Sequence, residues 1–197
     1  GADVLRLLDT HGILVIRGQQ LTLQQFEVFG RSLGALAAHA QPQRSPPGHP
    51  EVSIQSNIIE HGQPIGYPDT ARHWQSLGAH LKTPYRATLQ YAVEIPARDG
   101  VALGDTLFAS TQAACEALDP SLRQQLTGMR ATHVQRPAHK KRSLPYFPDA
   151  GLTQIFRRGV EHPVLRTHPH NGRKCLFVNP ATTSHICGMN DRGSDAL

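Results

Sequence analysis

RHWQSLGAHLKTPYRATLQYAVEIPARDGVALGDTLFAS, residues 72–110, is the stretch of the sequence that decides the fold. Apolar and polar side chains alternate over 87–95, and the apolar ones are Ala87, Leu89, Tyr91, Val93 and Ile95. A period of two is typical of a β-strand with one buried face, so this stretch predicts such a strand. Pro96 and the Asp99-Gly100 pair end it, and a second short strand is predicted at 105–109.

Both ends of this stretch resemble the core of a known family. Trp74-Gln75-Ser76-Leu77 is similar to the Trp-His-x-Asp motif of the taurine dioxygenase (TauD/TfdA-like) family, and 104–109, GDTLFA, is similar to its Gly-Asp-Thr segment. The family consists of non-haem Fe(II), 2-oxoglutarate-dependent oxygenases. The resemblance therefore implies a mostly β fold with flanking helices. This fold is a double-stranded β-helix (jelly-roll) of the clavaminate synthase and TauD type.

The positions that match the family's iron ligands carry other residues in this chain. Gln75 stands where the family has its ligand His, and Leu77 stands where it has its ligand Asp. A facial triad needs two imidazoles and one carboxylate, whereas Gln75 offers a neutral amide oxygen and Leu77 offers no donor atom. The resemblance thus assigns no metal ligand and no catalytic residue, and we expect no stoichiometric Fe(II) binding of the family's kind. One alternative stays open, because a slip of two residues would place His73 and Gln75 at the two ligand positions.

The cofactors that the resemblance implies are 2-oxoglutarate and Fe(II). In the family, the Thr of Gly-Asp-Thr hydrogen-bonds the far carboxylate of 2-oxoglutarate, so Thr106 is the candidate cofactor-binding residue. The alternative is a threonine that is present for its β-propensity alone. Asp105 is expected to fix the turn. His168 and Asn179 lie in stretches that match the family, and a structural role is favoured for both, with His168 satisfying a turn.

Composition limits the classes of function. A chain of 197 residues with 39% hydrophobic residues can bury one core, so 1–197 is expected to be a single domain. No apolar run is long enough to predict a membrane span. The basic run in 136–142 lacks interleaved aromatic residues, which argues against nucleic acid and favours a solvated loop. Its basic side chains would also attract an anionic small substrate by electrostatic steering. The three cysteines have no CxxC spacing, which is typical of reduced thiols in a cytoplasmic protein.

Local signals predict the remaining elements. Helices are predicted over 2–10, between Thr22 and Gly34, over 111–118, from Pro120 onward, and from residue 191. Strands are predicted over 13–16, 51–59 and 131–135, and as a hairpin over 162–179. The irregular region 136–159 resembles the family's segment over the active site, and we expect it to be the most mobile part of the chain. The family's distal His and 2-oxoglutarate-binding Arg lie beyond a point matching Leu197, so the chain is expected to lack the family's C-terminal segment.

Three functions stay open at this point. The first is a dioxygenase-like oxidoreductase of the taurine dioxygenase type, acting on a small molecule with a degraded or relocated metal site. The second is a metal-free pseudoenzyme that binds a ligand or partners an active relative, and the third is a non-redox enzyme that reuses the pocket. The resemblance also implies a homo-oligomer. The alternation over 87–95 further predicts that Leu89, Tyr91 and Val93 belong to the core.

Overall fold

In the computed structural model of the protein, residues 1–38, 44–67, 73–134 and 159–197 are described. They form two compact units. The described residues of the first unit are 1–38, 44–67 and 89–105, and those of the second are 73–88, 106–134 and 159–197. The single domain expected for 1–197 stays a prediction, and the irregular region 136–159 lies outside the described residues except at its last position.

The two predicted N-terminal helices of the first unit are confirmed. Helix α1, Ala2–His11, ends at Gly12, whose φ of 76° lies in the left-handed region that favours glycine. Helix α2, Leu23–Leu33, begins with a capping box. The Thr22 hydroxyl accepts from the amide of Gln25, and the Gln25 side chain accepts from the amide of Thr22. This reciprocal pair satisfies two amides that a helix start leaves without intrahelical partners.

Two predicted strands of the first unit are wrong as regular strands. Residues 13–16 form no strand, and Val15 is 73% exposed, so this run is not covered on both faces. Most of 51–59 is also irregular, with one isolated bridge between Gln55 and Tyr67. Only its end pairs in a ladder, because strand β1, Ile59–Glu60, forms an antiparallel hairpin with β2, Gln63–Pro64.

The predicted strand over 87–95 is also not formed as a ladder. Ala87, Leu89 and Tyr91 are half-buried, as the alternation predicts, but Val93 is 87% exposed. The prediction that Val93 lies in the core is therefore wrong, and Leu89 and Tyr91 are half-buried rather than buried. The backbone pairs only beyond this run, where β3, Ala97–Arg98, and β4, Val101–Ala102, form a short antiparallel hairpin.

The second unit contains three short helices whose starts are capped by side chains. Helix α3 is Thr111–Glu116, α4 is Pro120–Leu126 and α5 is Asp191–Ala196. The side chains of Ser110, Asp119 and Asn190 accept from backbone amides of α3, α4 and α5 respectively. Such caps stabilise a helix start by about 1 kcal/mol. All three helix predictions in this unit are confirmed, with α3 two residues shorter than expected.

The sheet of the second unit supplies its framework. Strand β5, Arg130–His133, lies between β6, Val160–Pro163, and β9, Thr183–Ile186, in an antiparallel three-stranded sheet. Strands β7, Leu165–Thr167, and β8, Lys174–Leu176, form the predicted hairpin. The predicted strand at 105–109 is wrong, because this stretch is irregular and Leu107 is 74% exposed.

The core of the second unit lies where this sheet meets the helices. Its buried residues come from α4, β5, β9 and the short link between β6 and β7, and they are Leu126, Ala131, Val164 and Ile186. Half-buried apolar side chains from α4, β7, β8 and the adjoining loops pack against them. Burial of each large apolar side chain contributes roughly 1.5–3 kcal/mol, so this cluster stabilises the unit.

Within the described ranges, the strands form sheets of two and three strands, and these do not close into a barrel. No helix in this part of the chain is long and apolar enough to cross a membrane.

Candidate functional site

The segment that matches the family's metal motif is irregular and partly exposed. Trp74 is 53% exposed and Leu77 is 47% exposed, and Gln75 between them is exposed as well. None of these residues lies on a strand. A tight turn follows at once, in which the amide of Ala79 donates to the Ser76 carbonyl at 3.1 Å. Gln75 and Leu77 thus lie at the entry to a turn rather than on a strand face.

Thr106 lies just after the β3–β4 hairpin. The amide of Leu103 donates to the Pro96 carbonyl at 2.8 Å and closes this loop, and Gly104 follows with a φ of 80°. The left-handed conformation at Gly104 is one that glycine adopts without strain. Thr106 itself is exposed, so its hydroxyl is accessible to a ligand. Between described residues, no hydrogen bond joins Thr106 to Gln75 or Leu77.

The donor set at these positions does not fit Fe(II). Gln75 supplies one neutral oxygen and Leu77 supplies none. His73 beside them is exposed, and a single imidazole with no carboxylate does not make up a facial triad. No group of three or more His, Cys, Asp or Glu side chains that could hold a metal ion lies within residues 1–38, 44–67, 73–134 and 159–197. Gln75, Leu77 and His73 therefore do not form the family's facial triad.

His168 and Asn179 have structural contacts. The Nδ1 atom of His168 accepts from the amides of His170 and Asn171, at 3.4 and 3.3 Å, which stabilises the loop between β7 and β8. The predicted turn role of His168 is thus confirmed. The Oδ1 atom of Asn179 accepts from the amides of Ala181 and Thr182, at 3.1 and 2.9 Å, and so orders the turn that leads into β9.

Sequence reasoning missed a pair of buried histidines in the sheet of the second unit. His133 on β5 is 0% exposed, and His162 on β6 is 5% exposed. Their ring centroids are 5.6 Å apart, and both rings pack against Phe177, at 5.3 and 5.2 Å. The guanidinium of Arg166 lies 4.9 Å from the centroid of the same phenyl ring, a cation–π distance. The sequence held one signal for His133. It is two residues from Ala131 on a predicted strand, so the two side chains lie on the same face.

Burial keeps these imidazoles neutral. Burial, together with the nearby His162, lowers the pKa of His133 to about 4, and the Phe177 carbonyl partly opposes this shift. Burial also lowers the pKa of His162 and of His80. The other charged side chains that act on His133 and His162 are cationic, namely Arg166 and Arg130. The cluster therefore resists protonation at neutral pH.

The comparisons with known proteins agree with the resemblance. The family described as "Taurine catabolism dioxygenase TauD, TfdA family" matches residues 1–197, so the chain belongs to this family. The chain is 27% identical over 201 residues to pentalenolactone F synthase of Streptomyces arenae, with 95% of this chain and 65% of the relative covered. It is 30% identical over 203 residues to the alpha-ketoglutarate-dependent 2,4-dichlorophenoxyacetate dioxygenase of Cupriavidus pinatubonensis, with 95% and 66% covered.

A solved structure supports the fold. The crystal structure of a putative alpha-ketoglutarate dependent 2,4-D dioxygenase from Burkholderia xenovorans matches with a TM-score of 0.69 and 20% identity, and 99% of this chain and 65% of that chain are covered. At this identity the likeness shows the fold alone, and it places the chain with the jelly-roll proteins of the family. The chain spans slightly less than two thirds of the length of each of these three proteins.

Proposed function

We propose that the protein is a 2-oxoglutarate-dependent dioxygenase-like oxidoreductase that acts on a small molecule and whose metal site departs from the family's pattern. The observation that carries this proposal is the family match over the whole of 1–197, together with a relative named as an alpha-ketoglutarate-dependent dioxygenase. Fold alone would be a weak argument, since one fold hosts many functions. A family match over the whole of 1–197, with relatives named as alpha-ketoglutarate-dependent dioxygenases, is a stronger argument.

In this proposal, Thr106 binds the cofactor. Its hydroxyl would donate a hydrogen bond to a carboxylate oxygen of 2-oxoglutarate, and its exposure leaves it accessible for that contact. The family implies Fe(II) as the second cofactor, which supplies the oxygen chemistry where it is bound. The donors at Gln75 and Leu77 do not provide its ligands, so the metal would need other ligands than these two positions.

The substrate class that we favour is a small anion. The relative from Cupriavidus pinatubonensis is named for 2,4-dichlorophenoxyacetate, a carboxylate. This chain carries a formal net charge of +5 at pH 7, which attracts anions over several ångströms at low ionic strength. An assembly of several copies is a further part of the proposal, and size-exclusion chromatography with light scattering measures it.

A second candidate function is a metal-free ligand-binding protein on the same fold. The residues at positions 75 and 77 favour it, because Gln75 offers only a weak neutral ligand and Leu77 offers none. Binding of 2-oxoglutarate or of a small anion without metal, and without succinate formation, would support this candidate. Turnover that does not depend on metal would instead indicate a non-redox enzyme that reuses the pocket.

The test is an anaerobic titration of Fe(II) in the presence of 2-oxoglutarate, followed by its visible charge-transfer absorption, with succinate measured after air is admitted. We expect the unmodified protein to bind far less than one iron per chain in the family's manner, whereas the proposed function requires iron-dependent succinate formation through other ligands. The loss of one outer partner of a metal ligand already costs about 10–100-fold in affinity, and here two ligand positions differ. One iron per chain at these positions would contradict the expected metal site.

The matched variants separate cofactor binding from metal binding. Gln75→His combined with Leu77→Asp should raise iron affinity, whereas Thr106→Val should weaken 2-oxoglutarate binding and leave the iron affinity unchanged. If the unmodified protein forms no succinate when Fe(II), 2-oxoglutarate and air are supplied, the dioxygenase proposal is wrong. The ligand-binding candidate then replaces it. Equal affinity for 2-oxoglutarate in the parent and in Thr106→Val would remove the role given to Thr106.

A further inference from the structure

The turn 76–81, which directly follows Gln75 and contains Leu77, is linked to the sheet by a buried histidine. The Nε2 atom of His162 lies 2.9 Å from the backbone oxygen of Leu81. A carbonyl oxygen only accepts, so Nε2 carries the proton and donates it to this hydrogen bond. The ring is 5% exposed, and buried hydrogen bonds of this kind are expensive to remove because the carbonyl would then lack a partner.

The turn that receives this bond is tightly built. The amide of Leu81 donates to the Gly78 carbonyl at 2.9 Å, and Gly78 has a φ of 76°. Ala79 within the turn is fully buried. The carbonyl of Ala79 also acts on the imidazole of His162 and, together with that of Leu81, partly opposes the effect of burial on its pKa. The Leu81 carbonyl is thus the hydrogen-bonded contact between this turn and the ring.

His162 is itself held in place from its other side. The Thr182 hydroxyl donates to Oδ1 of Asn179 at 3.0 Å, so its oxygen accepts from Nδ1 of His133 at 3.2 Å. These contacts fix the ring of His133, and that ring packs edge-on against His162. The phenyl ring of Phe177 packs against His162 at an interplanar angle of 81°. Aromatic contacts and hydrogen bonds thus define one orientation for His162.

We propose that His162 is a positioning residue, which fixes the turn 76–81 on strand β6 and thereby sets the backbone positions of Gln75 and Leu77. The relevance of this role to chemistry rests on the proposed function, because the family's metal motif matches these two positions. The role itself is a property of the protein without cofactor. His162 touches no reacting atom, so its effect on the site passes through the backbone of the turn.

The test uses the single tryptophan of the chain, Trp74, which lies directly before Gln75. His162→Phe keeps a ring of similar shape but removes the donor, and His162→Gln restores an N–H donor at about the same distance from the backbone. His185→Phe is the matched control, because His185 lies on β9 and bonds to Thr132 and Ser184 rather than to the turn. Two readouts are compared, namely acrylamide quenching of Trp74 and amide hydrogen exchange of Ala79 and Leu81.

We expect at least a tenfold faster exchange of Ala79 and Leu81 in His162→Phe, with a changed quenching constant for Trp74. The exchange of β5 and β9 should stay as in the parent. His162→Gln should recover most of the protection, and His185→Phe should leave the turn unchanged. Parent-like exchange in folded His162→Phe would overturn the proposal, and so would equal loosening of the turn in His185→Phe.

A second measurement covers the case in which His162→Phe does not fold. Nitrogen NMR of the unmodified protein reports the tautomer of each imidazole. The proposal requires that His162 carries its proton on Nε2, and a proton on Nδ1 alone would overturn it. None of these readouts needs iron, 2-oxoglutarate or turnover. Failure of the iron and succinate measurements would therefore refute the proposed function and leave the positioning role standing.

Discussion

Two regions of this protein are predicted as strands from the sequence but have different structures. In β5, Ala131 and His133 are fully buried, Arg130 is exposed and Thr132 is half-buried. In 87–95, the alternation is longer, yet Val93 is 87% exposed and no ladder forms. The difference lies in the neighbours, because β5 pairs with β6 on one side and β9 on the other. A period of two thus specifies which side chains share a face, and partner strands decide whether that face is buried.

Tyr91 in the alternating run is partly covered by other residues of the first unit. The Tyr91 hydroxyl accepts from the amide of Leu21 at 2.9 Å, and its ring lies 5.8 Å from that of Phe26 on α2. Val93 and Ile95 have no such cover and are mostly exposed. The side chain of Tyr91 therefore holds this part of the run in place, without backbone pairing between strands.

The largest expected effect comes from truncation of the core that β5 helps to form. Leu126→Ala should lower the free energy of unfolding of the second unit by about 2–5 kcal/mol, because Leu126 is 5% exposed and its truncation leaves a cavity. The matched control is Leu107→Ala in the irregular 105–109 stretch, where the same change should cost about 0.5 kcal/mol or less. Chemical denaturation followed by circular dichroism measures both. Equal losses would show that the exposed stretch is packed in solution.

The next effect in size is a loss of stability in acid. The pKa of His133 is lowered to about 4 by burial and by His162, whereas an unfolded histidine titrates near 6.5. The unfolded state binds the proton first, so the stability is complete above pH 6.5 and falls as the pH drops towards 4, by about 2–3 kcal/mol. His80 and His162 are shifted in the same direction.

The control for this acid effect is His133→Phe, measured by denaturation at several pH values between 7 and 4. Its stability should depend less steeply on pH than that of the parent, because the buried imidazole is gone. The same slope in both proteins would show that His133 is not the group that titrates.

A smaller effect is expected at the turn that follows the candidate site. Gly78→Ala forces a left-handed conformation on alanine, and the new Cβ would lie 2.9 Å from the amide nitrogen of Tyr85. We expect a cost of about 1–3 kcal/mol. Gly128→Ala in the same unit is the control, because its φ of 81° is similar but nothing lies within 4 Å of the added atom. If both changes cost the same in thermal unfolding, the close approach at Gly78 is absent in solution.

The smallest effect tests the boundary between the exposed stretch and the packed helices. Ser110→Ala removes the hydroxyl that accepts from the amide of Ala113 at the start of α3. The expected cost is about 1 kcal/mol, and Ser110→Asp should recover most of it. Denaturant midpoints of the three proteins measure this, and identical midpoints would contradict a capping role.

Local signals predicted the helices of this fold well, and non-local pairing limited the rest. The capping box at Thr22 and Gln25 and the caps at Ser110 and Asp119 depend on residues that are neighbours in sequence. The sheet requires β5 to meet strands from distant parts of the chain, and periodicity carries no information about such partners. The strand predicted over 13–16 was wrong for that reason, because its apolar run was not matched to a partner.

The candidate site was predicted through resemblance, and the buried histidines were not. Gln75, Leu77 and Thr106 could be located because they occupy positions in short family motifs. His133 and His162 belong to no motif and are far apart in sequence, so only strand pairing brings them to the same face. Their importance depends on burial, which a sequence pattern alone does not reveal.

Helix α3 packs against strand β8, and each of these elements carries a buried cysteine. The reaction of these thiols with a reagent therefore measures how often the second unit opens. Cys115 on α3 is 0% exposed and Cys175 on β8 is 5% exposed, and burial raises the pKa of the Cys175 thiol, so both react only when the elements separate. Cys187 is half-buried and reaches a thiol reagent sooner. The labelling kinetics of unmodified protein should therefore be biphasic. The slow phase would count the openings of the second unit under native conditions, without a mutation or an added dye.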